Sequence, residues 1–101
     1  MKETQIIKSV VKQFFPECEA ILFGSRARKD AKPDSDYDVL IIIDKLLTPE
    51  EKLPLRTQIR KELLKYNIIS DILIQRKEEV EEKKQLTGHI LKTIMKEGVL
   101  I

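Results

Sequence analysis

Apolar positions along this chain follow two different periods. Ile6, Ile7, Val10, Val11 and Phe14 recur at i, i+1, i+4, i+5 and i+8, one stripe of a helix, with Thr4 placed as its N-cap and Pro16 ending it. Residues 20–23 read as a short buried strand, and Gly24-Ser25 stand where the chain must turn out of the sheet. A short helix over 24–30 and a polar turn over 30–35 follow. Tyr37 then leads into the unbroken run Val39 to Ile43, which predicts a strand over 37–43 buried on both faces, the central strand of its sheet. Thr48-Pro49-Glu50-Glu51 has the form of a capping box with proline at the first helical position, so a helix starts there. Pro54 is expected to kink or restart it, after which Leu55, Ile59 and Leu63 supply an inward stripe. A third strand is read over 68–74. From Lys77 a charged helix is expected, its stripe Leu86, Ile90, Leu91, Ile94 and Met95 ending at Gly98 as C-cap, with residues 99–101 either adding a short strand or simply docking. The order predicts an α/β (α+β) fold: a small mixed sheet of three to four strands flanked by helices.

Length and composition narrow the setting. The 101 residues fit one domain, 1–101, with an expected radius of gyration of about 13 Å. Without tryptophan, and with two tyrosines and three phenylalanines, the core must be aliphatic. The 19 Lys and Arg nearly cancel 17 Asp and Glu, leaving a net charge of +2, so no direct nucleic-acid binding is expected. One cysteine, Cys18, excludes an intrachain disulfide and a multi-cysteine zinc site, and it reads as a small buried hydrophobe. No run has membrane-spanning length, so a cytoplasmic location is the expectation. His89, the single histidine, lacks neighbouring ligands and reads as a partly exposed helix residue.

The candidate chemistry lies where polarity interrupts burial. Asp36 and Asp38 open the most apolar strand, and at i and i+2 they share one face about 7 Å apart along it. Such carboxylates beside a core are costly unless a cation neutralises them. Asp71 interrupts the third strand in the same way. An aspartate in a core strand is about as often structural as functional, so the pair of interrupted strands carries the argument. Gly24-Ser25, opening a helix, would aim free N–H groups at an anion. Arg26 and Arg28 flank Ala27; one can bind phosphate while the other pairs with Asp30 or Asp34.

Phe23-Gly24-Ser25, ten intervening residues and then Asp36-Tyr37-Asp38 before an apolar strand resemble the signature of the DNA polymerase β-like nucleotidyltransferase superfamily. Gly24-Ser25-Arg26-Ala27-Arg28 and Ser35-Asp36-Tyr37-Asp38-Val39-Leu40 are similar to its smallest branch, the minimal nucleotidyltransferases (MNT), as is Lys96-Glu97-Gly98-Val99 near the end. Where that branch often has glycine after the second arginine, this chain has Lys29, which bears on the shape of the loop.

The resemblance implies an enzyme that moves a nucleoside monophosphate by in-line attack on the α-phosphorus of ATP, using two Mg²⁺ ions. Asp36 and Asp38 would ligate the metals, and Asp71 would complete the catalytic metal or take the proton of the attacking hydroxyl. Gly24 and Ser25 would hold the β- and γ-phosphates, with Arg26 and Arg28 as further nucleotide-binding candidates. It also implies a partner, because minimal nucleotidyltransferases commonly pair with helical HEPN toxins, and some silence the toxin by adding AMP to a tyrosine. Two other readings fit the residues: an antitoxin that masks its partner sterically, and the catalytic subunit of an aminoglycoside-type nucleotidyltransferase.

Overall fold

The most apolar run of the sequence forms the middle of the sheet. The computed structural model describes residues 2–30, 32 and 35–101. In it β2 (Tyr37–Ile43) lies between β1 (Glu19–Phe23) and β3 (Ser70–Arg76), and β4 (Val99–Leu100) flanks β1, giving the order β3-β2-β1-β4. β1 is antiparallel to both β2 and β4, whereas β2 and β3 are parallel. A parallel pair needs a crossover, and α3 (Pro49–Leu64) supplies it. The remaining helices are α1 (Lys2–Phe14), α2 (Gly24–Arg28), α4 (Lys77–Lys83) and α5 (Ile90–Glu97). The radius of gyration is 13.0 Å.

Period-two alternation splits the sheet into two faces with different cover. Ala20, Leu22, Tyr37, Val39, Ile41, Ile43, Ile72 and Ile74 face a core filled by Ile7, Val10 and Val11 of α1 and Ile59 and Leu63 of α3. Ile21, Leu40 and Ile42 face a smaller core closed by Val80 of α4 and Leu91 and Ile94 of α5. Leu40 and Ile41 are fully buried on opposite sides, each contributing about 1.5–3 kcal/mol. Cys18 lies in the larger core, and burial pushes its thiol pKa up.

Local chemistry sets the helix ends, and several depart from expectation. Thr4 lies inside α1 rather than capping it. The capping box at α3 is present: Thr48 Oγ1 accepts from the Glu51 N–H at 3.2 Å, and the Thr48 N–H donates to Glu51 Oε1 at 3.0 Å. α3 continues past Pro54 without restarting; the proline forfeits one N–H and does not end the helix. β3 begins two residues later than expected, because Asn67 turns the chain at φ 61° and Ile68 is buried without joining the ladder.

The expected single C-terminal helix is two. A continuous helix would separate Val80 from Ile94 by about 21 Å, yet both close one small core, so the chain must fold back between them. Gly88 at φ 81° makes that turn, and His89 caps α5, its Nδ1 accepting from the Leu91 N–H at 3.1 Å. Leu86, Ile90 and Met95 are consequently exposed, while Leu91 and Ile94 are buried. Gly98 does end α5, in extended conformation (φ −70°, ψ 158°). Its requirement is space, since a Cβ there would run into Ile21 Cγ2 and the Ile94 carbonyl.

Candidate active site

Strand pairing gathers the sequence-predicted residues at one end of the sheet. β1 finishes there and β2 and β3 start there; Phe23 is opposite Asp38, and Asp38 lies beside Asp71 in the parallel ladder. Adjacent strands lie about 4.8 Å apart, so Asp38 and Asp71 are immediate neighbours on one face. That face is the one covered farther along by α4 and α5, and the cover stops short of the carboxylates: Asp38 is half-buried, Asp36 and Asp71 exposed. Burial first, then the charges of Asp71 and Asp36, raise the Asp38 pKa, with Arg28 opposing them. The three carboxylates therefore share one field, with Asp38 at its centre.

Gly24 is the next element of this corner. As the residue after Phe23 it leaves the sheet beside Asp38, at φ +73°, a conformation that costs an L-residue with a Cβ about 1–2 kcal/mol. A Cβ at this position would run into Asp38 Oδ2. The carboxylate thus rests directly on the turn that opens α2. Ser25 is half-buried at the head of α2, and Phe23, its N-cap residue, offers no side-chain cap to the helix N–H groups.

The two arginines part company. Arg28 Nε lies 3.3 Å from Asp30 Oδ2 with both side chains exposed, a pair worth little in water, and its charge reaches Asp38. Arg26 turns to the other side of the sheet. Its Nη2 and Nε donate to the Ser35 carbonyl at 2.9 and 3.3 Å, and its Cζ stands 4.3 Å from the centre of the Tyr37 ring. Tyr37 belongs to the larger core, opposite Asp38, as alternation along β2 requires. Sequence reasoning passed over Tyr37; its place beside Asp38 in an alternating strand was the signal that it points the other way. Asp34, the other candidate partner for an arginine, lies outside the described residues, as do Ala31 and Pro33.

Lys29 accounts for the departure noted in the sequence. It caps α2 at φ 63°, ψ 26°, the left-handed conformation that glycine adopts without strain, and its N–H donates to the Ser25 carbonyl. The loop keeps the shape a glycine would give it, at a cost. Lys29→Gly should raise stability by about 0.5–1 kcal/mol, measured as a higher urea midpoint with unchanged slope.

The donor set suits a hard divalent cation, being all carboxylate oxygen, with Asp38 cradled against Gly24. Among the described residues no group of three or more His, Cys, Asp or Glu side chains is gathered to enclose an ion. An ion here would complete its shell with substrate oxygens, the usual mode for Mg²⁺ at phosphate-handling sites. None of the helices formed by the described residues is long and apolar enough to cross a membrane.

Comparison with known proteins points the same way. A candidate protein adenylyltransferase of Methanocaldococcus jannaschii is 40% identical over 57 residues, which is 56% of this chain and 58% of that protein. The crystal structure of a toxin-antitoxin with AMP-PNP superposes with a TM-score of 0.69 at 17% identity, over 99% of this chain and 72% of that one. A candidate nucleotidyltransferase from Sulfolobus solfataricus superposes with a TM-score of 0.50 at 22% identity, over 97% and 80%. At these identities the superpositions show a shared fold. The model of the nucleotidyltransferase domain matches residues 5–101, from α1 through the glycine turn and all three aspartates to the last residue. This chain belongs to the nucleotidyltransferase domain family.

Proposed function

We propose that this chain transfers AMP from ATP to a hydroxyl of a partner protein, a tyrosine of a HEPN-type toxin, and so acts as an antitoxin. The observation that carries the proposal is the contact of the Gly24 turn with the Asp38 carboxylate, beside Asp71 in the ladder. It joins a phosphate-holding turn to a cation-holding strand. The archaeal relative bears the name of a protein adenylyltransferase, and the superposed toxin-antitoxin contains an ATP analogue, which supports this choice of donor and partner.

The α2 N–H groups and the Ser25 hydroxyl receive the β- and γ-phosphates, and Gly24 lets them approach the backbone. Asp36 and Asp38, with Asp71, would hold two Mg²⁺ ions, which would supply charge to offset that building on the attacking and leaving oxygens. The acceptor oxygen forms a bond to the α-phosphorus as the bond from that phosphorus to the β-phosphate oxygen breaks. Pyrophosphate leaves, and the hydroxyl proton passes to the Asp71 carboxylate. Arg28, held by only a weak exposed pair, exchanges Asp30 for phosphate.

The test is transfer of label from α-labelled ATP, with Mg²⁺, to the protein encoded beside this one. Label on a tyrosine, lost with Asp36→Asn/Asp38→Asn, is the expected result. A tight complex without labelling would overturn the transfer reading in favour of steric masking. Label appearing only on an aminoglycoside would replace the protein acceptor by a small molecule.

A further inference from the structure

The sequence offers Arg26 as a nucleotide ligand, and the structure gives it other work. α2 carries the phosphate turn at its start, and Arg26 is its third residue. From there the guanidinium reaches across to the Ser35 carbonyl, one residue before Asp36, with two donors, and lies over the ring of Tyr37, between Asp36 and Asp38. Tyr37 is itself fixed: it is 8% exposed in the larger core, and its N–H donates to the Ile69 carbonyl, two residues before Asp71. One side chain therefore fastens the element that holds Gly24 and Ser25 to the strand that presents the two aspartates, and Tyr37 passes that constraint to the strand of the third. It does so from the face opposite Asp38, where it lies with Leu22 and Ala27.

We propose that Arg26 is a positioning residue: through Ser35 and Tyr37 it sets the distance between the phosphate turn and the Asp36–Asp38 pair. This rests on the nucleotidyltransfer reading above for its consequence, but its geometry does not depend on who the acceptor is. A planar guanidinium suits the task, because it donates in its plane to a carbonyl while its face covers an aromatic ring. Lysine keeps the charge and loses both the fork and the stacking. Groups that orient metal ligands from behind typically change metal affinity or activity 10–100-fold when removed.

The experiment compares Arg26→Lys, Tyr37→Phe and Tyr37→Leu with the wild-type chain by three readouts: Mn²⁺ affinity from the free-ion electron paramagnetic resonance signal, amide exchange at Asp36 to Asp38 in metal-free protein, and transfer kinetics. Arg26→Lys and Tyr37→Leu should weaken Mn²⁺ binding about tenfold, speed exchange across 36–38 and lower kcat about tenfold or more, while KM for ATP stays within about threefold. Tyr37→Phe keeps the ring and should behave as wild type. Mn²⁺ affinity and exchange unchanged in Arg26→Lys would overturn the proposal, whatever happens to melting temperature. A rise in KM for ATP equal to the fall in kcat/KM would also overturn it, making Arg26 a nucleotide ligand after all. If the wild-type chain transfers AMP to nothing, the functional reading fails, and Mn²⁺ affinity and amide exchange still decide the role of Arg26.

Discussion

Asp38→Asn should abolish nucleotidyl transfer and at the same time make the metal-free protein more heat-stable. Both halves follow from one position. Asp38 stands between Gly24 on one side and Asp71 on the other, so in the proposed function it is the carboxylate through which turn and metal would meet. Loss of groups that merely orient a metal ligand costs 10–100-fold, so loss of a ligand should cost about a hundredfold or more in kcat. The stabilisation comes from electrostatics. Burial and then the charges of Asp71 and Asp36 hold the Asp38 pKa above its ordinary 3.8, so its ionisation opposes folding at neutral pH. Between 3.8 and the raised value the folded chain binds more protons than the unfolded one. The metal-free protein should therefore gain stability as pH falls through the raised pKa, and lose it again as pH rises through that value. Asparagine keeps the shape and removes the charge, so its melting temperature should lie above wild type at pH 7 and converge with it in acid. Calorimetry across pH checks this; an Asn variant less stable than wild type at pH 7 would show that the carboxylate is well paired within the protein. Saturating Mg²⁺ and ATP should narrow the difference if, as proposed, they bind the wild-type fold more tightly than the variant.

Gly24→Ala should damage both stability and nucleotide binding, for two separable reasons. At φ +73° an alanine pays about 1–2 kcal/mol, and its methyl would displace Asp38 Oδ2. The first effect alone lowers the melting temperature by roughly 4–16 °C in a domain of this size. The second moves a metal ligand, and a misplacement of about 1 Å can cost about a hundredfold in rate. Gly24→Ala combined with Asp38→Ala removes the collision and leaves the backbone strain. The double variant should regain part of the lost stability and none of the activity. Full additivity of the two single effects on stability would mean that residue 24 and the Asp38 side chain do not touch.

The site was more legible in the sequence than the fold around its rear face. Glycine at a turn and aspartates at the head of an apolar strand are anomalies that local physics flags, because each costs free energy where it stands. Period-two alternation was enough to place Tyr37 on the face opposite Asp38, though nothing local said that Arg26 would follow it there. Lys29 shows the reverse case: a residue that departs from the family pattern yet adopts the left-handed conformation of the glycine it replaces. Sequence spacing misled where helix propensity and packing disagreed. Residues 77–98 carry a plausible helical stripe, but Val80 and Ile94 must reach the same core, and only a chain broken at Gly88 allows that.

By itself the sequence determined the central strand, the capped start of α3, the glycine turn and the aspartates that interrupt the apolar strands. Each is dictated by residues within one element, through periodicity, capping or the conformational freedom of glycine. The tertiary structure decided the rest. Strand order and register put Asp71 beside Asp38, and the close exit of β1 set Gly24 on its carboxylate. Two sheet faces separated Arg26 from Arg28, because contacts between elements distant in the chain depend on which surfaces pack together, and that choice is made by the whole core at once.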